Sequence, residues 1–348
     1  MKKKIIFTPG PQTTKGNIKR QSIFHRSVES QEIVKKTKEV LCKEFGSKEV
    51  LIAQTSASEL INIFSLSLKN KVTKNNKIAV IDTGNWSENI VRILESNKFI
   101  VNKIDKSIFD KSKTELENFI ASLEETLVFG LLNETSTGCI YDYKNIYKEI
   151  KKQNKYLFID AVSYPIFYRK ENNLNQECDF LLMSSAKSFH SNPGFSFLGY
   201  SKSFEEYDIF ENNYYFSLHL MHKFSKINQL PHTYFTNNLQ VVCEDIEFTL
   251  NNKDKITKKI NVLKDKFIEE MSKLGFLVNN KKDIINSNLI VLICPQKIKA
   301  SELISFMYKN NIFVGGDQAN LNSIRVCINY HNNISDVKIL INSTKNLK

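Results

Sequence analysis

Closely spaced cysteines and long apolar runs are both missing from this chain of 348 residues. Its six cysteines are Cys42, Cys139, Cys178, Cys243, Cys294 and Cys327. Because no two of them lie close together, a C-x-x-C zinc or redox site is excluded, and we expect no metal. Free thiols fit a reducing compartment, so we expect a cytoplasmic protein.

Apolar stretches long enough for a membrane are equally missing. No stretch approaches the roughly 20 apolar residues of a membrane-spanning helix. The opening "MKKKIIFTPGPQTT" has no apolar core of a signal peptide before its Pro-Gly-Pro turn. We therefore expect neither membrane insertion nor export.

Arginine is scarce, although the formal net charge is +12. The excess is lysine, dispersed along the chain and mixed with asparagine in pieces such as "KNKVTKNNK". Without an arginine-rich strip or a basic-aromatic array, we expect no nucleic-acid partner. An arginine that is retained despite such a bias is of interest, since only its planar guanidinium binds carboxylates in bidentate fashion. This points to Arg26 and Arg325.

The remaining pattern is an alternation of strand-length apolar runs and helix-period segments, typical of an α/β fold. The apolar runs are "EVLIAQ" (49–54), "KIAVIDTG" (77–84), "FIVNKID" (99–105), "TLVFGLLNET" (126–135), "YLFIDAVS" (156–163), "CDFLLMS" (178–184) and "FSFLGYS" (195–201). This βαβ rhythm predicts a mainly parallel sheet covered by helices on both faces. From about residue 239 a long helical stretch and short strands predict a smaller α+β domain.

Polar residues stand at several predicted strand ends, where doubly wound sheets place their sites. "TSAS" (55–58) suits a phosphate at a helix N-terminus, or an ordinary helix N-cap. Trp86 suits a stacking platform for a flat ring, or a place in the core. Asp160 suits a protonated ring nitrogen, or the capping of a loop. Lys187 either captures a carbonyl or merely ends a strand.

Together these parts describe one ligand with a phosphate, a flat ring, a basic ring nitrogen and a carbonyl. Pyridoxal 5′-phosphate has all four. Its aldehyde would react with the amine of Lys187, and its ring nitrogen would pair with the carboxylate of Asp160. We therefore expect this cofactor.

The sequence resembles the class V aminotransferases of the fold-type I pyridoxal-phosphate enzymes. The motifs that carry the resemblance are "FTPGPQTT", "HRS" (25–27), "NETSTG" (133–138), "FIDAVSY" (158–164), "SSAKSFHSNPGFSFLGYS" (184–201) and "SIRVCINYHN" (323–332). It is most similar to the 2-aminoethylphosphonate–pyruvate branch, with the alanine– and serine–glyoxylate branches close behind. The resemblance implies a seven-stranded-type sheet in a large domain, with a smaller C-terminal α+β domain.

The resemblance also implies site residues and domain limits. It makes Lys187 the Schiff-base lysine and general base and Asp160 the partner of the pyridinium nitrogen. The cofactor-binding set is Ser56, Ala57, Ser58, Trp86, Thr135, Asp160, Ser185, Lys187, Thr233 and Thr236, of which Thr233 and Thr236 would reach the phosphate from the partner subunit. The substrate-binding set is Arg325, Gly10 and Arg26. The expected divisions are an arm (1–15), a cofactor-binding domain (16–240) and a small domain (241–348).

Two departures from the family pattern concern the phosphate turn. Thr55 and Ala57 stand where the family usually has glycine. The second His-Arg pair typical of phosphoserine aminotransferases is also missing, which disfavours phosphoserine as a substrate.

The resemblance implies an aminotransferase that passes an amino group from a small amine or amino acid to a keto acid such as pyruvate or glyoxylate. The donor would be similar to 2-aminoethylphosphonate, alanine or serine, and the active sites would be shared in a homodimer. A lyase or decarboxylase on the same fold remains open. A desulfurase is disfavoured because Cys178 and Cys327 lie in or beside predicted strands, and a non-catalytic homologue because Lys187 and Asp160 are both retained.

Overall fold

A central β-sheet and the helices around it position every candidate residue. The protein is described by a computed structural model that covers residues 4–10, 22–68, 76–170, 173–211, 215 and 217–346. The strands are β1 (Ile5–Phe7), β2 (Glu49–Ala53), β3 (Lys77–Asp82), β4 (Ile100–Asp105), β5 (Leu127–Leu131), β6 (Asn133–Glu134), β7 (Cys139–Ile140), β8 (Tyr156–Asp160), β9 (Phe180–Ser184), β10 (Ser196–Tyr200), β11 (Leu277–Val278), β12 (Leu289–Ile293), β13 (Ile312–Val314) and β14 (Ser323–Cys327).

The helices of the described residues alternate with the first strands, as the sequence predicts. They are α1 (Val28–Phe45), α2 (Ala57–Leu66), α3 (Asn85–Ser96), α4 (Lys113–Ser122), α5 (Lys144–Lys152), α6 (Ser185–Ser188), α7 (Leu218–Lys226), α8 (Thr236–Asn251), α9 (Lys253–Lys273), α10 (Ala300–Lys309) and α11 (Ile334–Lys345). None of the helices in these described ranges combines the length and the apolar character needed to cross a membrane.

Seven strands form the central sheet in the order β2-β10-β9-β8-β5-β3-β4. All neighbouring pairs are parallel except those of β10, which runs antiparallel to both β2 and β9. Every residue of β5 is buried, which is typical of a strand covered on both faces. The expected mainly parallel, seven-stranded sheet is confirmed.

Two hydrophobic cores lie on opposite faces of this sheet. Val128 and Ile159 pack on one face with Leu41 of α1. Phe129 and Phe158 pack on the other face, where Phe64 of α2 meets both rings edge-on at centroid distances of 5.9 and 4.8 Å. The alternation follows from the two-residue period of a strand. Because both faces are packed, the sheet is held between two layers of helices, and this packing fixes the positions of the strand ends.

The C-terminal part of the chain has its own sheet and core. β11, β12 and β14 form an antiparallel sheet in the order β11-β12-β14. Its core includes residues of α9, α10 and α11, together with Ile5 and Phe7 of β1. Because β1 pairs with β13 in parallel, the start of the chain is attached to this C-terminal region. The boundary expected at residues 240–241 falls within α8, and the domain limits stay a prediction.

Candidate active site

A cavity of about 310 Å³ opens at the ends of β5, β8 and β9, beside the N-terminus of α2. Most of the predicted cofactor-binding residues line it. These are Ser56, Ala57, Ser58, Trp86, Thr135, Asp160, Ser185 and Lys187. The sheet therefore brings together residues that lie up to about 130 positions apart in the sequence, as expected for the carboxyl ends of parallel strands.

Lys187 lies on the short helix α6, directly after β9. Its ammonium nitrogen Nζ donates a hydrogen bond to Ser163 Oγ at 3.3 Å and lies 4.8 Å from the centroid of the Trp86 ring. Burial lowers the pKa of Lys187, and the nearby carboxylate of Asp160 partly opposes this shift. A lowered pKa increases the neutral fraction of the amine, which is the nucleophilic form.

Asp160 is the last residue of β8, and it faces the same cavity. Its Oδ1 accepts a hydrogen bond of 2.8 Å from the backbone N–H of Val162. Burial nevertheless raises the pKa of Asp160 to about 6, against the opposing effects of this bond and of Lys187. A cation placed against the carboxylate would favour its charged form, and a protonated ring nitrogen is such a cation.

Trp86 is held at the cavity wall by a buried carboxylate. The backbone N–H of Trp86 donates to Glu134 Oε2 at 3.2 Å. Glu134 also accepts from the backbone N–H and the hydroxyl of Ser136, at 2.9 and 2.6 Å. Trp86 Nε1 is buried and has no hydrogen-bond partner among the residues that the structure describes. Glu134 is not among the residues that the sequence predicts for the site, although it lies within the "NETSTG" motif.

The turn before α2 is suited to hold a phosphate despite its missing glycines. Ser56 is the N-cap residue of α2, and its hydroxyl accepts from the backbone N–H of Glu59 at 3.1 Å. Neither Thr55 nor Ala57 is among the residues with positive φ, so both replace glycine without backbone strain. A helix N-terminus offers unpaired N–H groups to an anion.

Arg325 lies on β14 beside the cavity, rather than in its wall. Its side chain is only 6% exposed. Nε donates to the carbonyl of Gly316 at 2.7 Å, and Nη1 donates to the carbonyl of Thr135 at 3.4 Å. Burial lowers the pKa of Arg325, whereas Glu134 and Asp317 oppose this shift. The predicted substrate-binding role of Arg325 stays a prediction.

Arg26 and Gly10 do not line the cavity. The guanidinium of Arg26 donates to Gln229 Oε1 at 2.7 Å and to the carbonyls of Leu230 and His232 at 2.9 and 3.0 Å. Arg26 thus fixes the 229–232 segment in this chain. Gly10 follows Pro9, which lies against Gly315 at the β-bridge to Arg325. The substrate roles predicted for Gly10 and Arg26 stay predictions.

Thr233 and Thr236 also lie outside the cavity, and their predicted contact with the phosphate bound to a partner subunit stays a prediction. Thr233 is exposed. Thr236 is 1% exposed, and its hydroxyl lies 3.3 Å from Ser30 Oγ in the same chain. Of the two, Thr233 is the better placed to contact another molecule.

One cluster outside the cavity contains metal-ligating residue types. Glu49, Glu205 and His222 offer ligand atoms within 4.8 Å of one another. His222 already bridges the two carboxylates, with Nδ1 3.3 Å from Glu49 and Nε2 2.9 Å from Glu205. Although burial opposes it, hydrogen bonds to both carboxylates raise the pKa of His222. The cluster is therefore satisfied as an ion pair.

The cavity, its amine, its carboxyl group and its aromatic wall define a site of the kind found in pyridoxal-phosphate enzymes. Residues 11–340 match the family described as Aminotransferase class-V. The protein belongs to this family, whose members depend on pyridoxal 5′-phosphate, and this is its cofactor. No match was found among curated proteins.

Solved structures with the same fold include enzymes of more than one activity. An aspartate aminotransferase of subgroup IV from Thermus thermophilus has a TM-score of 0.82 and 18% identity, covering 99% of this chain and 98% of that one. An alanine–glyoxylate aminotransferase from Nostoc sp. has a TM-score of 0.84 and 15% identity, and the match covers 99% of this chain and 95% of that one. A cysteine desulfurase from Thermococcus onnurineus has a TM-score of 0.73 and 16% identity, and the match covers 99% of this chain and 94% of that one. These likenesses confirm the expected fold type I.

The raised pKa of Asp160 predicts a pH-dependent cost in the cofactor-free protein. Because the folded pKa of about 6 exceeds the ordinary value of 3.8, the contribution of Asp160 to stability is lost as the pH rises through about 6. Asp160→Asn should therefore raise the free energy of unfolding of the cofactor-free protein by roughly 3 kcal/mol at neutral pH and leave it unchanged in acid.

Urea unfolding of both proteins at several pH values measures this difference. Asp142→Asn, at an exposed position, is the matched control and should change little at any pH. An Asp160→Asn protein less stable than the parent at neutral pH would contradict the assigned burial cost.

Proposed function

We propose that the protein is an aminotransferase that transfers an amino group from a small primary amine or amino acid to a 2-keto acid such as pyruvate or glyoxylate. The observation that carries this proposal is the presence of the Lys187 amine and the Asp160 carboxyl group in one cavity walled by Trp86. Two of the three solved structures described above are named aminotransferases.

The residues of the cavity match the parts of the cofactor. Lys187 would hold its aldehyde carbon, and Asp160 would keep its ring nitrogen protonated. Trp86 would stack on the ring, and the turn of Ser56 and Ser58 would bind the phosphate. When bound, pyridoxal 5′-phosphate supplies an electron sink for the charge that develops on the substrate carbon.

Lys187 would then act on the substrate as well as on the cofactor. When an amino donor replaces Lys187, the lysine amine becomes free. It would then remove a proton from the donor carbon and give that proton back at a different atom. Burial already lowers the pKa of this amine, which suits a general base. A keto acid would then accept the amino group in the reverse sequence.

Arg325 is proposed to bind the carboxylate of the keto acid. Guanidinium binds carboxylates through two parallel hydrogen bonds, and Arg325 is buried beside the cavity wall. A cavity of about 310 Å³ suits the cofactor with a small substrate. A 2-aminoethylphosphonate-like donor, alanine and serine all remain candidates.

The alternatives use the same cofactor differently. A lyase or decarboxylase would leave a keto acid unconsumed. A desulfurase requires a reactive cysteine, yet no cysteine lines the cavity within the described ranges. Cys178 is buried with its pKa raised well above the ordinary value, and Cys327 lies within β14, where Asn288 donates to its sulfur at 3.2 Å. A non-catalytic homologue is disfavoured by the retention of both Lys187 and Asp160.

The function is tested by mixing the reconstituted protein with a panel of amino donors and pyruvate or glyoxylate. One keto acid should be consumed for each donor molecule. Lys187→Ala should abolish turnover, Asp160→Asn should lower kcat by about a hundredfold or more, or ~3 kcal/mol, and Arg325→Lys should raise KM for the keto acid about tenfold. Lys202→Ala, at an exposed position, is the control. Donor breakdown without keto-acid consumption would favour the lyase and contradict the proposal.

We also propose a homodimer with shared active sites. Phe24, Val28 and Phe235 are large apolar side chains that are 64%, 73% and 51% exposed, and a second copy would cover them. The backbone N–H of Phe235 donates to Gln54 Oε1 at 2.6 Å, and Gln54 precedes the cavity residue Thr55. The exposed Phe235 therefore lies close to the cavity, and a second copy that covers Phe235 would reach the site.

Sedimentation of the Val28→Glu, Phe235→Asp double variant tests the dimer. It should shift the protein toward the monomer and weaken cofactor binding at least about tenfold, since one subunit's site would lose its neighbour. Ile339→Glu, at an exposed apolar position on α11, is the control. A monomeric parent that binds cofactor tightly would contradict the proposal.

The cytoplasmic location stays a prediction.

A further inference from the structure

The hydroxyl oxygen of Ser163 is the immediate partner of the Lys187 amine. Ser163 Oγ accepts a hydrogen bond from Lys187 Nζ at 3.3 Å and another from Thr135 Oγ1 at 2.9 Å. Thr135 is 3% exposed, so solvent does not compete strongly for its hydroxyl. Ser163 Oγ thus contacts both the amine of Lys187 and a buried hydroxyl, and all three residues line the cavity.

The backbone around Ser163 is fixed from two sides. Asn133 Nδ2 donates to the carbonyl of Ser163 at 2.8 Å, and Ser188 Oγ donates to the carbonyl of Val162 at 3.1 Å. The N–H of Val162 in turn donates to Asp160 Oδ1. The hydroxyl of Ser163 is thus presented from a turn whose position depends little on its own side chain. A rigid acceptor is what a flexible lysine needs.

The same hydroxyl is linked to Arg325 through Thr135. Thr135 offers its hydroxyl to Ser163 and its carbonyl to Arg325 Nη1. Thr135 therefore connects the hydroxyl that contacts Lys187 to the guanidinium of Arg325. Lys187 is proposed to act on the amino donor, and Arg325 is proposed to bind the keto acid. A displacement of Thr135 would change the hydrogen bonds of both Ser163 and Arg325.

We propose that Ser163 is a positioning residue whose hydroxyl, held by Thr135, receives the amine of Lys187 each time that amine is released from the cofactor. The inference rests on the proposed function and deepens it. A free lysine side chain has many accessible rotamers, and a fixed acceptor keeps the amine close to the reacting atoms. Ser163 lies in the "FIDAVSY" motif but is not among the residues that the sequence predicts for the site.

The first test uses the cofactor-free protein. Labelling of Lys187 by an amine-reactive reagent, followed by mass spectrometry across a pH series, gives the pKa of its amine. Ser163→Ala removes an acceptor that favours the charged form, so the pKa of Lys187 should fall and its labelling at a fixed pH should rise about fivefold to tenfold. Ser163→Thr keeps the hydroxyl and should restore the parent profile.

Ser65→Ala is the matched control, because Ser65 is a buried serine of α2 whose hydroxyl donates to the backbone carbonyl of Asn62, away from the cavity. It should leave the labelling profile unchanged. If Ser163→Ala also leaves it unchanged while both variants lose thermal stability, the hydroxyl is merely structural and the inference is overturned.

The second test uses the reconstituted enzyme. Ser163→Ala should lower kcat about fivefold to tenfold with little change in KM for either substrate, since the hydroxyl acts on Lys187 rather than on a substrate. Equal kcat values for parent and Ser163→Ala would overturn the inference while leaving the aminotransferase proposal intact. If the parent consumes no keto acid, the proposed function fails instead, and the labelling series still decides the role of Ser163.

Discussion

The shared cavity of Lys187 and Asp160 is the constraint on which the rest of the site depends. Each group is shifted toward its neutral form by burial, the amine through a lowered pKa and the carboxyl through a raised one. Each charged form is therefore costly until a partner is present. A ligand that reacts with the amine and brings a protonated nitrogen to the carboxyl relieves both costs, and pyridoxal 5′-phosphate is such a ligand.

The sheet makes this arrangement possible by placing β8 and β9 side by side in parallel, with Asp160 paired to Leu182 in register. Asp160 ends one strand, and α6 with Lys187 follows the other. The flanking motifs add the aromatic wall and the phosphate turn from the ends of neighbouring elements. Helical layers on both faces hold these ends still, and a site that must orient a flat ring requires such rigidity.

The sequence was sufficient for the parallel sheet and for Trp86, Asp160 and Lys187 in the cavity, because apolar runs locate strands and polar residues after them locate their ends. It was not sufficient for Ser163 or Glu134, whose roles arise from hydrogen bonds between separate strand ends and are visible only when the distances are known. Arg26 shows the same limit, since its partners lie about 200 residues away. The roles predicted for Thr233 and Thr236 involve a second subunit and stay predictions.

The identity of the amine that carries the cofactor tests the account most directly. Borohydride reduction of the reconstituted protein fixes the cofactor to whichever lysine holds it, and peptide mass mapping locates the adduct. The account predicts a single adduct, on the peptide that contains Lys187, and none in the Lys187→Ala protein. An adduct confined to another lysine, or a parent protein that takes up no cofactor, would contradict it.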